Sequence, residues 1–460
     1  MQALTCREII SAVKGALVSG DVDTVFTGVS IDSRKIKKGD LFIPIIGQQF
    51  DGHDFIQSSI ESGAAGALTQ RETGHCAKGT LIKVSDTQQA LKDMASYFRG
   101  KFSIPFVGIT GSVGKTSTKD MIASVLEQKY RVLKTQGNLN NEIGMPLTVL
   151  NLEEYHEAAV VEMGMSGFGE ISRLTSIALP DIAVITNIGL SHIEKLGSRQ
   201  NILKAKMEIL EGLRDGGLVV LNGDDNLLGG LKGLLNFRTV FYGMGEGLDY
   251  QAYNIQTAGE QGTYFEITVA NSDYNVHIPA PGTHNVYNAL AAIAVGIELK
   301  VPMDAVIKGI TAFSPGKMRL NVIPCGKMKI INDAYNASPQ SMEAAINVLK
   351  EVSAGARTVA VLGDMLELGE ISARAHYDIG KFAVLKDIDY IIAVGEYAQN
   401  IALGAVEAGA DRGRVRSFAG NRQAIDFLAD FLKEGDTMLV KGSRGMKMEE
   451  IVNQFTANNC

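Results

Sequence analysis

The spacing of apolar and polar positions changes character along the chain, and each rhythm predicts different elements. MQALTCREIISAVKGALVSGD (1–21) repeats apolar side chains at helical spacing and predicts an amphipathic helix. DLFIPIIG (40–47) reads as a strand, and DFIQSSIESGAAGAL (54–68) as a helix followed by a strand. From Ile104 the runs become solidly apolar. IPFVGIT, AAVVEM, DIAVITNI and GLVVLN predict buried strands. TSTKDMIASVLEQ predicts an amphipathic helix after the first, and helical stretches lie between the first three of these runs. Strands alternating with helices imply a parallel sheet with covered faces.

Residues 250–280 alternate polar and apolar, as a small antiparallel insertion does, before HNVYNALAAIAVGIEL returns to helix. After AFSPGKMR a second alternation begins. MKIIND, RTVAVLG, DYIIAVG and DTMLVKG read as strands with helices between them, a separate doubly wound domain. SPGK (314–317) is the expected hinge. The predicted class is α/β in three domains, with boundaries at 1–101, 102–314 and 315–460.

Composition narrows the class. A chain of 460 residues exceeds one ordinary core, which suits that division. Fifty glycines against ten prolines and no tryptophan fit many tight strand-to-helix turns. A net charge of −7 argues against nucleic acid as a partner, so an anionic ligand needs a local positive pocket. No run reaches membrane-spanning length and no cleavage signal opens the chain, so a cytosolic protein is expected. Cys6, Cys76, Cys325 and Cys460 form no C-x-x-C pair, which predicts reduced thiols in place of zinc or disulfides.

GITGSVGKTSTKD (108–120) carries the strongest candidate chemistry. A strand, a glycine turn and a helix N-terminus together point backbone N–H groups and a partial positive charge at an anion. Lys115 could reach outer phosphates, and the Thr116 hydroxyl could ligate magnesium. The loop is shorter than G-x-x-x-x-G-K-[ST], because Ile109 stands five residues before Gly114. Glu162 and His192 each follow a strand end, where a ligand crevice lies in open α/β sheets. Either could equally be a solvated or structural side chain. Lys206 in ILKAKMEIL falls on a helix whose lysines pattern as solvated. GNLNNEIGMP clusters Asn138, Asn140 and Asn141 with turn residues, which loop chemistry alone explains. Asn285 and Asn288 lie three apart on one helical face and could read an adenine edge or cap the helix. No N-K-x-D run supports a GTPase.

Taken in order, TGSVGKTSTK, GNLNNEIG, EMG, SHIEKLGS, AKMEI, HNVYNALAA and INDAYNASPQSM resemble the Mur ligase family of ADP-forming amide ligases. The short T-G-x-x-G-K-[ST] loop is similar to that family's. The likeness runs nearly end to end. It implies a small N-terminal α/β domain for a uridine nucleotide, a central P-loop parallel-sheet ATPase domain and a C-terminal Rossmann-like domain.

DAYNASPQSM, LGDMLELG and VKGSRGMKME most resemble the branch that joins D-alanyl-D-alanine to UDP-N-acetylmuramoyl-tripeptide in peptidoglycan precursor synthesis. An amino-acid-adding Mur ligase and a folylpolyglutamate-synthase-like ligase are the alternatives. The former's D-Y-A-H-x-P run is replaced here by DAYNASP. A P-loop regulatory module without synthesis is the rival from another class, and Glu162, His192 and Lys206 together count against it.

The resemblance also implies roles, residue by residue. Gly111, Ser112, Gly114, Lys115, Thr116 and Ser117 hold ATP phosphates. Thr116, Glu162 and His192 hold two magnesium ions with Lys206, whose amine becomes a carbamate. Asn285 and Asn288 match the adenine region, and Arg319 and Asp333 reach the nucleotide from the C-terminal domain. Asn138 and Asn141 lie beside the reacting groups. Asp32, Ser33, Arg34, Gly52 and His53 hold the uridine substrate, and Tyr335, Asn336 and Ser338 face the dipeptide. Ser338 stands where the family pattern has asparagine. A monomer is expected.

Overall fold

A computed structural model describes residues 1–47, 49–72 and 79–459. Two compact units emerge: Met1–Thr110 with Tyr130–Ala183 and Met207–Gly217, and Gly111–Lys129 with Val184–Lys206 and Leu218–Cys460. Among the described residues no helix is long and apolar enough to cross a membrane. Cys6 and Cys325 are buried thiols outside any disulfide among the described residues, while Cys76 and Cys460 lie outside those residues.

In the first unit the N-terminal helix covers only Cys6–Val13, shorter than its apolar pattern predicts. Thr5 starts it with a reciprocal cap: the Glu8 N–H donates to Thr5 Oγ1 at 3.2 Å and the Thr5 N–H to Glu8 Oε2 at 2.8 Å. Lys14 ends it in a left-handed conformation, φ 51°. The chain then leaves as the strand Ala16–Ser19, which pairs antiparallel with Thr80–Lys83. Apolar spacing could not reveal this switch, because the strand's apolar residues continue the helical rhythm.

Thr80–Lys83, Gly66–Thr69, Asp40–Phe42 and Gly28–Ser30 continue that sheet in parallel. The strand predicted over 40–47 stops at Phe42, two residues before Pro44, which has no N–H for a ladder. Phe42, Ile56, Ile60, Ala64, Ala67 and Leu81 form the local core. Phe106–Thr110, Ala158–Glu162 and Val132–Lys134 are a second parallel set with Ala158–Glu162 in the middle, so Glu162 ends a fully buried strand.

Arg99 is a fully buried cation that the apolar pattern cannot announce. It donates to Ala178 O at 2.8 Å, Phe102 O at 2.7 Å and Leu179 O at 3.3 Å, and lies 3.8 Å over the Phe106 ring. Ala178 and Leu179 close the helix Glu170–Ala178, so the guanidinium satisfies carbonyls at its C-terminal end. Burial lowers its pKa to about 10, which leaves it charged at neutral pH.

In the second unit the helix Lys115–Leu126 packs on His284–Glu298 and Met303–Thr311. Small residues permit the close approach. A Cβ on Gly309 would lie 2.5 Å from Val125 Cα, and one on Gly296 would lie 2.8 Å from Val125 Cγ1. Leu218–Asn222, Arg238–Gly243 and Tyr250–Thr257 run parallel; Thr263–Val269 and Ser272–Ile278 complete the antiparallel insertion expected over 250–280. A six-stranded sheet follows, in the order Asn321–Cys325, Met328–Asp333, Thr437–Lys441, Thr358–Gly363, Tyr390–Val394 and Val415–Phe418. Only its first pair is antiparallel, and apolar clusters cover both faces.

Replacing Arg99 by Met keeps the apolar stem and strands three carbonyl acceptors. The expected cost is about 2–4 kcal/mol, read as a lower midpoint of the first transition in urea unfolding. An unchanged midpoint would remove Arg99 from the packing argument.

Candidate functional site

The phosphate-loop candidate is built as its sequence suggests. The strand Phe106–Thr110 ends, Gly111–Gly114 turn, and the helix starts at Lys115. Gly111 adopts φ +150° and Gly114 φ +84°. At Gly111 the requirement is also steric, since a Cβ would sit 1.9 Å from Thr186 Oγ1. The Lys115 ammonium turns back over the loop, donating to Gly111 O at 2.7 Å and Ser112 O at 3.3 Å. Thr116 and Ser117 occupy the first helical turn, half-buried.

A second segment clamps this loop. The Val113 N–H donates to Asn187 Oδ1 at 2.9 Å, and Asn187 Nδ2 donates to Val113 O at the same distance. The Ser112 N–H donates to Asn187 O at 3.1 Å, and Thr186 Oγ1 donates to Val113 O at 2.6 Å. The Gly189 N–H donates to Ser112 Oγ at 2.8 Å. Asn187 therefore matters to the loop, yet sequence reasoning passed over it. Its signal is the polar pair Thr186-Asn187 directly after the apolar strand Ile182–Ile185.

Lys206 lies on the helix Arg199–Met207 but is only 2% exposed, whereas its neighbour Lys204 is solvated. The local expectation of a solvated lysine is thereby corrected. Burial, and secondarily the Lys115 ammonium, push the Lys206 pKa well below its ordinary value. His192 shares that field. Burial lowers its pKa, Lys115 and Lys206 lower it further, and the Glu367 carboxylate opposes them. The Glu367 Oε2 to His192 Nδ1 distance is 2.5 Å. Lys115, His192 and Lys206 are thus close enough to feel one another's charge, and the two lysines concentrate positive potential.

Asn285 and Asn288 are buried and joined in a relay. Thr118 Oγ1 donates to Asn288 Oδ1 at 2.8 Å, Asn288 Nδ2 to Asn285 Oδ1 at 3.0 Å, and Asn285 Nδ2 to Pro281 O at 2.9 Å. This relay links the helix after the phosphate loop to the helix His284–Glu298. Asn285 does not cap its helix by accepting an amide proton; its amide nitrogen donates to a carbonyl.

Arg319, Asp333 and Tyr335 come together in the C-terminal part. The Arg319 guanidinium lies 4.1 Å over the Tyr335 ring. Asp333 Oδ2 accepts from the buried Lys441 ammonium at 2.6 Å, and its Oδ1 from the Leu320 N–H at 3.1 Å. Burial raises the Asp333 pKa, with Lys441 and Arg319 opposing. Lys441 also donates to Asn336 O at 2.8 Å. Ser338 opens the helix Pro339–Ser353, its N–H donating to Ser341 Oγ at 2.9 Å.

The remaining predicted residues lie in the first unit. Glu162 is 2% exposed, and Asn140 Nδ2 donates to its Oε1 at 2.8 Å. Of the three clustered asparagines, the one touching Glu162 is therefore Asn140. Asn141 Oδ1 accepts from the Gly144 N–H at 2.8 Å, a local turn contact, and Asn138 is exposed. Asp32 binds Arg34 through Nε at 2.8 Å and Nη2 at 2.9 Å, with Ser33 between them. The Gly52 N–H donates to Ile45 O at 3.0 Å, so close that a Cβ there would lie 2.7 Å from Ile45 N. The buried His53 ring uses both nitrogens, Nδ1 to Asp51 Oδ1 at 2.6 Å and Nε2 accepting from the Gln70 N–H at 3.2 Å.

Among the described residues no three His, Cys, Asp or Glu side chains cluster as a metal site. Within the second unit, oxygen ligands for magnesium could come from the Thr116 hydroxyl at a helix start and from the buried Lys206 amine once carbon dioxide had converted it into a carbamate. A bare ammonium at Lys206 would repel a cation.

Three family models match this chain: the Mur ligase family catalytic domain over residues 25–99, the Mur ligase middle domain over 109–296, and the Mur ligase glutamate ligase domain over 318–444. The UDP-N-acetylmuramoyl-tripeptide–D-alanyl-D-alanine ligase of Bacillus subtilis is 41% identical, covering 98% of each chain. A crystal structure of MurF from Acinetobacter baumannii superposes with a TM-score of 0.91 at 30% identity over 100% of both chains. MurF ligase from Thermotoga maritima in complex with ADP does so at 0.82, also 30% identical, over 93% of this chain and 97% of that one.

Gly111→Ala should force the loop off Thr186. The expected outcome is at least about a tenfold loss of affinity for a fluorescent ATP analogue, or 1.4 kcal/mol, while Gly420→Ala, which meets nothing within 4 Å and has no left-handed backbone, serves as the tolerated control. Equal affinities for the two variants would show that the close approach is dispensable.

Proposed function

Because the chain belongs to the Mur ligase family, we propose that it joins D-alanyl-D-alanine to UDP-N-acetylmuramoyl-tripeptide at the expense of ATP, giving the pentapeptide, ADP and phosphate. The reading is carried by end-to-end likeness to ligases named for that reaction. The three-part α/β architecture is that of the family. Boundaries at 1–101, 102–314 and 315–460 are supported by one matched family segment inside each.

A carboxylate does not condense with an amine in water, because its leaving group is too poor. An oxygen of the tripeptide's terminal carboxylate attacks the γ-phosphorus, and the bond to ADP breaks. The dipeptide's amine nitrogen then attacks the acyl carbon, inorganic phosphate leaves, and the nitrogen gives up its proton to solvent or phosphate. The glycine loop N–H groups and Lys115 bind the phosphates and stabilise charge spreading over the transferred group. Asn187 and Thr186 hold that loop in shape before nucleotide arrives, so little reorganisation is needed.

Thr116, Glu162, His192 and a carbamate on Lys206 would hold magnesium, which would supply further charge neutralisation. Two observations support the carbamate. Only an uncharged amine attacks carbon dioxide, and burial holds Lys206 toward that form. The converted side chain is also an anion beside the Lys115 ammonium, relieving a repulsion. Arg319 and Asp333 are assigned to the nucleotide, and Tyr335, Asn336 and Ser338 to the dipeptide side. Asp32, Ser33, Arg34, Gly52 and His53 are assigned to the uridine part, where His53 acts through the shape of its loop.

Incubation with UDP-muramoyl-tripeptide, D-alanyl-D-alanine and ATP should yield pentapeptide by mass spectrometry and phosphate carrying one oxygen from the donor carboxyl. Diaminopimelate, lysine and glutamate should not replace the dipeptide. Turnover with a single amino acid, or without the UDP-peptide, would overturn the assignment.

Carbamate formation is read separately. Protein equilibrated with 13C-bicarbonate should show a carbamate carbonyl resonance that Lys206→Arg abolishes, with activity at least about a hundredfold lower, or 2.7 kcal/mol. Active wild-type enzyme with a bare lysine would rule the modification out.

A further inference from the structure

The strands Met328–Asp333 and Thr437–Lys441 are parallel neighbours, with Asp333 opposite Lys441 in register. Both residues therefore end their strands at the carboxyl edge of the C-terminal sheet, where open α/β sheets place their ligands. The Lys441 side chain is 2% exposed. Its ammonium has two acceptors, Asp333 Oδ2 at 2.6 Å and Asn336 O at 2.8 Å.

Each acceptor governs a different loop. Asp333 Oδ1 accepts from the Leu320 N–H at 3.1 Å. Met318 and Leu320 adopt left-handed backbones, φ +59° and +51°. Non-glycine residues keep such conformations only where the surroundings impose them. Arg319 lies between the two, so the Asp333 carboxylate helps to set its direction.

Asn336 belongs to the loop that follows Asp333. Ala334 and Ala337 are buried there, Tyr335 is half-buried and Asn336 is exposed. Two side chains from the end of the neighbouring strand hold the loop's backbone: Lys441 on Asn336 O, and Ser443 Oγ on Ala337 O at 3.5 Å. The Arg319 guanidinium, 4.1 Å over the Tyr335 ring, joins the two loops from the other side. A buried ion pair is weak evidence for stability, because apolar residues of similar volume fill such a space at less cost. The bond to a loop carbonyl gives this ammonium a task beyond the pair.

We propose that Lys441 is a positioning residue: by bonding Asp333 and Asn336 O at once, it holds the Arg319 segment and the loop 334–338 in one mutual geometry, so that nucleotide and incoming dipeptide are aligned by a single ammonium. The alignment of substrates rests on the proposed function; the tether between the two loops does not.

The test uses the full chain. Lys441→Met strands the Asp333 carboxylate, so the deciding variant is Lys441→Met with Asp333→Asn, which removes that charge and keeps an acceptor for the Leu320 N–H. The amides of Ala334, Ala337 and Ser338 are hydrogen-bonded, so hydrogen exchange reports on their loop. Without ligands, exchange over 334–338 in the double variant should be at least about tenfold faster than in wild type. The strands Thr358–Gly363 and Tyr390–Val394 should keep wild-type rates. In turnover, the double variant should show a KM for D-alanyl-D-alanine at least about tenfold above that of Asp333→Asn alone. The KM for ATP should differ less between those two, because Leu320 keeps its acceptor in both.

Wild-type exchange over 334–338 in the double variant would overturn the proposal. So would acceleration spread evenly over the two strands, which would make Lys441 a general stabiliser. A dipeptide KM equal to that of Asp333→Asn, in an enzyme that makes pentapeptide, would overturn it too. If wild-type enzyme makes no pentapeptide while the loop exchange responds as expected, the function assignment fails and the tether stands.

Discussion

Two lysine amines placed within each other's field, one of them buried, make it costly for both to carry a full positive charge. Desolvation disfavours the Lys206 ammonium and the nearby Lys115 disfavours it again. The arrangement can be satisfied by removing one proton, by converting one amine to an anion, or by admitting an anionic ligand. The proposed reaction would draw on the second and the third. The remaining features of the site make sense around that constraint, including the rigid glycine loop and the partly buried imidazole.

Rigidity at this site comes from polar side chains that never meet substrate in the proposed reaction. Asn187 closes a two-bond ring with Val113, Thr186 fills the space that glycine leaves at 111, and Thr118 reaches Asn288 across two helices. Each is satisfied within the protein, so none has to be released for phosphates to enter. The C-terminal part follows the same logic: Lys441 holds both Asp333 and the backbone of Asn336 from a buried position. Binding residues lie in front, and their supports carry the geometry.

How much was readable beforehand varies with the range of the physics. The parallel strands, the helix after the glycine loop and the antiparallel insertion follow from local periodicity, and the structure contains them. The N-terminal helix was overextended, because an amphipathic rhythm continues past Lys14 into a strand that pairs with residues 80–83. The burial of Lys206 was invisible, since one lysine on a polar helix face looks like any other. Among GNLNN, only the folded loop distinguishes Asn140, which touches Glu162, from Asn141, which caps a turn.

By itself the sequence determined the α/β class, the order of the elements and the phosphate loop, because those depend on residue period, glycine placement and short-range sterics. The order of motifs also pointed to a family, and hence to a reaction. Only the tertiary structure decided which polar groups are buried, which pair with which, and that Glu367 meets His192 across 175 residues of sequence. Charges and hydrogen bonds act through space, over distances that have no fixed relation to separation along the chain.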